Sequence, residues 1–129
     1  VKQSGSLVHP DYLRFDFTYH RPLTQEEIKR VEDLVNHKIR ENIPVVIEYT
    51  TLNDALKKGA LAFFGEKYNP ENVRLVNVDD FSHELCGGTH VNRTGDIGTF
   101  KITEESALSA GHRRIVALTG PKAIELFQE

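Results

Sequence analysis

Cys86 and His90 stand four residues apart, with Gly87, Gly88 and Thr89 between them. A thiolate and an imidazole at that spacing can reach one ion, and both are good Zn2+ ligands. Glycines at 87 and 88 would permit backbone conformations that a Cβ forbids, and would let a ligand come close to the main chain. A zinc site takes three or four protein ligands, however. His83, three residues before Cys86, is one further candidate, while His9, His20, His37 and His112 are scattered. A buried thiol beside an unrelated histidine is the competing reading, and from spacing alone the two stay open. Cysteine catalysis is poorly served. Arg93 follows Cys86 after six residues, which is not the spacing of a phosphate-cradling cysteine loop. A Cys86–His90 nucleophile and base on one turn would line up awkwardly with a substrate.

The remaining chemistry is charge. Gly111-His112-Arg113-Arg114 is the best local basic patch, in a chain whose net charge is −3. A protein whose main task is nucleic-acid binding is usually basic, so any RNA contact here must be local, with further affinity supplied elsewhere in a larger protein. The alternative for these arginines is pairing with neighbouring acids. Charged residues at 27% and hydrophobic residues at 39% describe an ordinary globular chain and exclude extensive disorder. One cysteine allows no internal disulfide, which fits a reducing, cytoplasmic setting. Nothing approaches the ~18 apolar residues of a membrane span, so no membrane partner is expected. The chain opens on Val1, and the helix begun at Pro121 runs to its last residue, which reads as an excerpt from a longer polypeptide.

Positioning these groups requires a scaffold, and the patterning predicts α+β, with a mainly antiparallel sheet and packed helices in a single domain over 1–129. Ser6–Val8 and Leu13–Phe17 read as strands around a turn at His9-Pro10-Asp11, with Leu13, Phe15 and Phe17 alternating against Arg14 and Asp16. Thr24 and Glu27 form a capping box, and Ile28, Val31, Leu34, Val35 and Ile39 then mark a core-facing helical stripe to about Glu41. Strands are predicted over Val45–Thr50, Val73–Val78, Thr99–Thr103 and Arg114–Leu118, with short helices from Asn53 to Lys58 and from Pro121. Glu104-Glu105 and Asp79-Asp80 read as solvated. Ala60 to Tyr68 is ambiguous, and Phe63-Phe64 reads as packing.

At this level a resemblance becomes specific. Gln3-Ser4-Gly5-Ser6-Leu7-Val8, Leu13-Arg14-Phe15-Asp16-Phe17, Cys86-Gly87-Gly88-Thr89-His90-Val91, Thr94-Gly95-Asp96-Ile97-Gly98 and Gly111-His112-Arg113-Arg114-Ile115 follow one another along nearly the whole chain. In that order they resemble the editing domains of alanyl-tRNA synthetases. Free-standing alanyl-tRNA editing proteins are similar, and threonyl-tRNA synthetase editing domains share the cysteine–histidine half. The resemblance implies an aminoacyl-tRNA deacylase module that hydrolyses seryl or glycyl esters of tRNA(Ala). It implies Zn2+ held by Cys86 and His90 together with a helical His-x3-His pair. That pair would lie upstream of Val1, so this stretch by itself is expected to be inactive. It further implies that Gln3 lies beside the substrate, that amides at Gly87 and Gly88 serve catalysis, and that Arg113 and Arg114 contact tRNA. The partners implied are the acceptor end of tRNA(Ala) and the remainder of a synthetase with an ATP-dependent aminoacylation site, for which no motif occurs here. The competing readings are a metal-free tRNA-binding or structural scaffold, a threonyl-type editing domain and a free-standing editing protein.

Overall fold

Alternation and capping produce most of the elements where sequence patterning places them, with β5 added and β6 lengthened. A computed structural model describes residues 2–61, 68–87 and 90–128. Strands β1 (Gln3–His9) and β2 (Tyr12–Thr18) are followed by helix α1 (Gln25–Arg40), β3 (Val45–Thr50), α2 (Leu52–Lys57), β4 (Val73–Val78) and β5 (Ser82–Leu85). A 3-10 turn (Thr94–Ile97) then leads to β6 (Phe100–Ser109), β7 (His112–Thr119) and α3 (Pro121–Gln128). The strands form two antiparallel sheets, ordered β1-β2-β7-β6 and β3-β4-β5, so the class is α+β. The chain divides into two compact units, Val1–Arg40 with Ile97–Glu129, and Glu41–Asp96. No helix among the described residues is long and apolar enough to cross a membrane.

In the first unit the capping box forms as its residues dictate. The Thr24 hydroxyl accepts from the Glu27 amide at 3.1 Å, and a Glu27 carboxylate oxygen accepts from the Thr24 amide at 3.0 Å. Phe17, Ile39, Phe100, Ile102, Ile115 and Ala117 make the core, with Leu13, Ile28 and Val35 packed against them. The predicted helical stripe is corrected at Val31 and Leu34, which are 38% and 48% exposed. Their places on the inner face are taken by polar residues.

Glu32 is buried and accepts from the Ile102 amide at 2.6 Å, while Lys101 Nζ lies 3.3 Å away. Asn36 donates to the Phe100 carbonyl at 2.9 Å and accepts from the Phe100 amide at 2.8 Å. β6 is an edge strand, and its outward backbone groups would otherwise go unpaired. Helix α1 therefore rotates towards the strand whose backbone it satisfies. Replacing Asn36 by Leu strands both Phe100 groups, so we expect a loss of about 2 kcal/mol, measurable by denaturation of the variant. A loss below ~0.5 kcal/mol would mean that water serves the edge equally well.

β6 also runs beyond its predicted end. A register shift between Ile102 and Glu104 turns Glu105 inward, where its side chain is only 6% exposed rather than solvated.

The second unit packs α2 on its sheet through Ala55, Val73, Leu75 and Leu85. Thr51 caps α2 by accepting from the Asp54 amide, and Gly59 closes it at φ +86. The two ends of this unit are stitched to each other. The Ile43 amide donates to the Thr94 hydroxyl at 2.8 Å, the Thr94 amide to the Ile43 carbonyl at 2.9 Å, and the Val45 amide to the Asn92 carbonyl at 2.9 Å. Asn42, at φ +52, accepts from the Gly95 amide through its side chain and from the Arg93 guanidinium through its carbonyl. A Cβ on Gly95 would collide with that Asn42 side chain.

Candidate functional site

β5 is the strand that sequence patterning misses, and it delivers Cys86. Its central residues Ser82, His83 and Glu84 are polar, so no apolar alternation announces it. The strand forms because its backbone is claimed on both sides. It pairs with β4 from Leu75↔Leu85 to Val78↔Ser82, while Leu61 donates to His83 and accepts from Leu85 at 2.9 and 3.0 Å. Cys86 extends this ladder. Its amide donates to the Arg74 carbonyl at 3.2 Å, and its carbonyl accepts from Arg74 Nη1 at 2.8 Å. Both main-chain groups of the thiol-bearing residue are thus pinned to β4.

Alternation along β5 sorts the nearby titratable groups. His83 shares the face of buried Leu85, and its Nδ1 lies 2.6 Å from the Asn77 side-chain oxygen. It is half-buried and engaged there rather than lying at the surface, and the odd spacing to Cys86 sets the two on opposite faces. Glu84 shares the Cys86 face. Burial pushes its carboxyl above the ordinary range, against the opposing field of His90, so Glu84 and His90 are within electrostatic reach of each other. Sequence reading passed over Glu84, although its alternate spacing from Cys86 was the available signal.

His90 is half-buried, and its Nδ1 is fully buried with no hydrogen-bond partner among the described residues. A buried imidazole nitrogen left unsatisfied costs about 1–3 kcal/mol. A cation beside a thiol and a neighbouring carboxylate is one of the few partners that would remove that cost. The chemistry of these donors fits Zn2+, although the described residues contain no group of three or more His, Cys, Asp or Glu placed to hold an ion. Gly87 is exposed, a Cβ on it would meet nothing within 4 Å, and its φ is not in the left-handed region. The expected conformational need for glycine is therefore corrected at Gly87, whose backbone is simply open to approach. Gly88 lies outside the described residues, as do Phe63 and Phe64.

Gln3, Arg113 and Arg114 belong to the other sheet. Gln3 pairs with Phe17, and Phe17 pairs with Arg113 on its other side, so the glutamine and the arginine flank one phenylalanine in a single row. Arg113 donates to Glu105 from Nε at 2.9 Å and Nη2 at 2.6 Å, with side chains 14% and 6% exposed. Arg114 pairs with Asp16 and so faces the other way. It donates to Asp16 from Nε at 2.7 Å and Nη2 at 3.0 Å. Arg14 Nε lies 3.5 Å from the same carboxylate. Hydrogen bonding from Arg114 holds the Asp16 carboxyl below its ordinary range against the penalty of burial, and Arg14 adds to the effect. Arg113 does the same for Glu105. Each arginine of the dipeptide thus has its own acid, and no local signal could have named either partner, since Arg114 and Asp16 are 98 residues apart.

Comparison with known proteins converges on one family. Residues 73–116 match the model of the threonyl and alanyl tRNA synthetase second additional domain. An alanine–tRNA ligase of Fervidobacterium nodosum is 56% identical over 128 residues, covering 99% of this chain and 15% of that protein. One from Lactobacillus johnsonii is 60% identical over 121 residues, covering 94% of this chain and 14% of that protein. One from Shewanella loihica is 56% identical over all 129 residues, again covering 15% of its own length. The chain therefore spans about one seventh of the relatives it matches. With this domain model crossing its β4-to-β7 region and ligase sequence running along almost its entire length, it belongs to the threonyl and alanyl second additional domain family, as a segment of the alanine–tRNA ligase type.

Proposed function

We propose that this segment is the proofreading hydrolase module of an alanine–tRNA ligase, acting on seryl- or glycyl-tRNA(Ala). The observation that carries the reading is the buried Nδ1 of His90, which has no hydrogen-bond partner among the described residues, one short connection away from a cysteine whose backbone is fixed. A structural core histidine would have its nitrogens satisfied.

The need for such a module follows from the size of the amino acids. Serine differs from alanine by one hydroxyl and glycine by one methyl, and a pocket discriminates against such changes by only about 1–3 kcal/mol. A second, hydrolytic site supplies the rest. Water adds to the ester carbonyl, the bond to the terminal ribose oxygen breaks, and free amino acid leaves with the tRNA hydroxyl restored. Cys86 and His90 would hold Zn2+ with ligands from elsewhere in the parent protein, and the ion when bound supplies positive charge for substrate placement or water activation. The open main chain at Gly87, with Gly88, is suited to donate amide hydrogen bonds to a carbonyl oxygen that gains negative charge. The Gln3 amide orients the aminoacyl or sugar end. Arg113 and Arg114, on opposite faces of their sheet, each contact the tRNA, whose remaining contacts belong to the rest of the synthetase.

The test uses the complete synthetase and compares serine release from Ser-tRNA(Ala) with alanine release from Ala-tRNA(Ala). Selective serine release is expected. Release from a threonine tRNA instead would make the module threonyl-type. Absence of release from either would leave a structural or RNA-binding scaffold and overturn the hydrolase reading.

A further inference from the structure

The Arg14, Asp16 and Arg114 cluster differs from the Arg113–Glu105 pair in stoichiometry. Glu105 meets one guanidinium and closes a neutral pair. Asp16, only 4% exposed, meets two. One carboxylate is shared by two arginines, whose guanidinium side chains remain 31% and 29% exposed. The two Asp16 oxygens take the paired donors of Arg114, and Arg14 Nε, though near, has no hydrogen-bond acceptor among the described residues. Glu104 sits on the edge strand and its field reaches Arg114, but it forms no ion pair with either arginine.

The cluster lies on the face of the β1-β2-β7-β6 sheet opposite to the core of Phe17, Ile115 and Ala117. Rows across the strands run Gly5, Asp16, Arg114 and Ser106, then Leu7, Arg14, Val116 and Glu104, then His9 and Tyr12. Gly5 puts no side chain over Asp16, where a Cβ would stand 3.4 Å from its carboxylate. In the third row the His9 and Tyr12 rings stack, with centroids 4.7 Å apart and planes 18° apart, and His9 is 45% exposed. Two part-exposed guanidiniums beside an exposed flat aromatic pair suit a nucleic-acid strand, which offers phosphate to the first and bases to the second. An acidic peptide would use the charge and leave the stack idle.

We propose that Arg14 and Arg114, spaced by Asp16, form a phosphate-binding clamp for the RNA backbone on this face, separate from the Gln3–Phe17–Arg113 face. The assignment rests on the reading of the protein as a tRNA-acting module and adds Arg14, a residue that reading does not use.

The experiment uses the complete synthetase and measures tRNA(Ala) affinity against salt concentration. Arg14→Gln and Arg114→Gln should each reduce the log–log slope by about one, the loss of one neutralised phosphate, and Arg14→Lys should retain it. Melting profiles close to that of the parent protein confirm that the fold is intact. An unchanged slope in Arg14→Gln, with serine release by the parent protein intact, overturns the clamp and leaves the editing function standing. A changed subunit or domain assembly at unchanged slope also overturns it, in favour of a protein contact. Absence of serine release from the parent protein would defeat the functional reading separately, while the salt slope still decides whether RNA touches Arg14.

Discussion

Replacing Cys86 by Ala in the complete synthetase should lower serine release from Ser-tRNA(Ala) by about a hundredfold or more, since even a residue that only supports a metal ligand is worth ~10–100-fold. Zinc bound at this site should fall with it. Alanine attachment, the reaction named by the relatives, should persist, which distinguishes a lost site from a lost protein. His90 permits a sharper test because the competing explanations predict opposite signs. If the imidazole is only filler, His90→Phe removes a buried nitrogen that no described residue satisfies, and should raise stability while serine release is retained. If it is a ligand, the same change abolishes release and zinc together. Retained release in both variants would end the metal-site account.

Asp16→Ala should produce the largest loss of stability. The substitution leaves Arg14 and Arg114 facing each other with no intervening charge, and removing one member of a buried ion cluster costs roughly 3 kcal/mol or more. Amides of β2 and β7 should exchange with solvent about two orders of magnitude faster. Asp16→Asn, which preserves shape and some hydrogen bonding, should fall between. Little change in either variant would show that the arginines are held by other contacts.

The same carboxylate sets an acid dependence. The folded-state value of Asp16 is depressed by Arg114, so its contribution is present above the ordinary carboxylate range and is lost as pH falls through the lowered value. Glu105 follows the same sign. Glu27, held to about 2 by Arg21 and the Thr24 amide, extends the loss to that pH. Glu84 has the opposite sign, because burial raises its value. Its contribution is complete at low pH and lost as pH rises through the raised value.

The amino-acid pattern fixed those features whose causes are local. The Thr24–Glu27 box depends on residues within a few positions and forms as read. The two-residue alternation sets Leu13, Phe15 and Phe17 on one face of β2, although Phe15 ends 36% exposed and Asp16 is buried against distant Arg114. Features with distant causes were illegible. Glu32 and Asn36 face inward because a strand edge 64 to 70 residues later needs their polar atoms, and a periodicity of apolar residues contains no information about that. β5 owes its extended form to the backbones of β4 and Leu61 rather than to its own side chains. The Cys86–His90 pair was visible as a spacing, whereas the burial of His90 Nδ1 without a partner among the described residues, and the burial that raises the Glu84 carboxyl, require three dimensions.

The stitching of Asn42 and Ile43 to Thr94 and Gly95 has an evolutionary consequence. Because the polypeptide enters and leaves the Glu41–Asp96 unit at adjoining points, that unit has the architecture of an insertion within a host. A host interrupted at one tight doorway can accept, enlarge or shed its guest without repairing its own sheet. Substitutions in the thiol-bearing unit are therefore expected to leave the arginine-bearing sheet undisturbed as long as the doorway residues stay compatible.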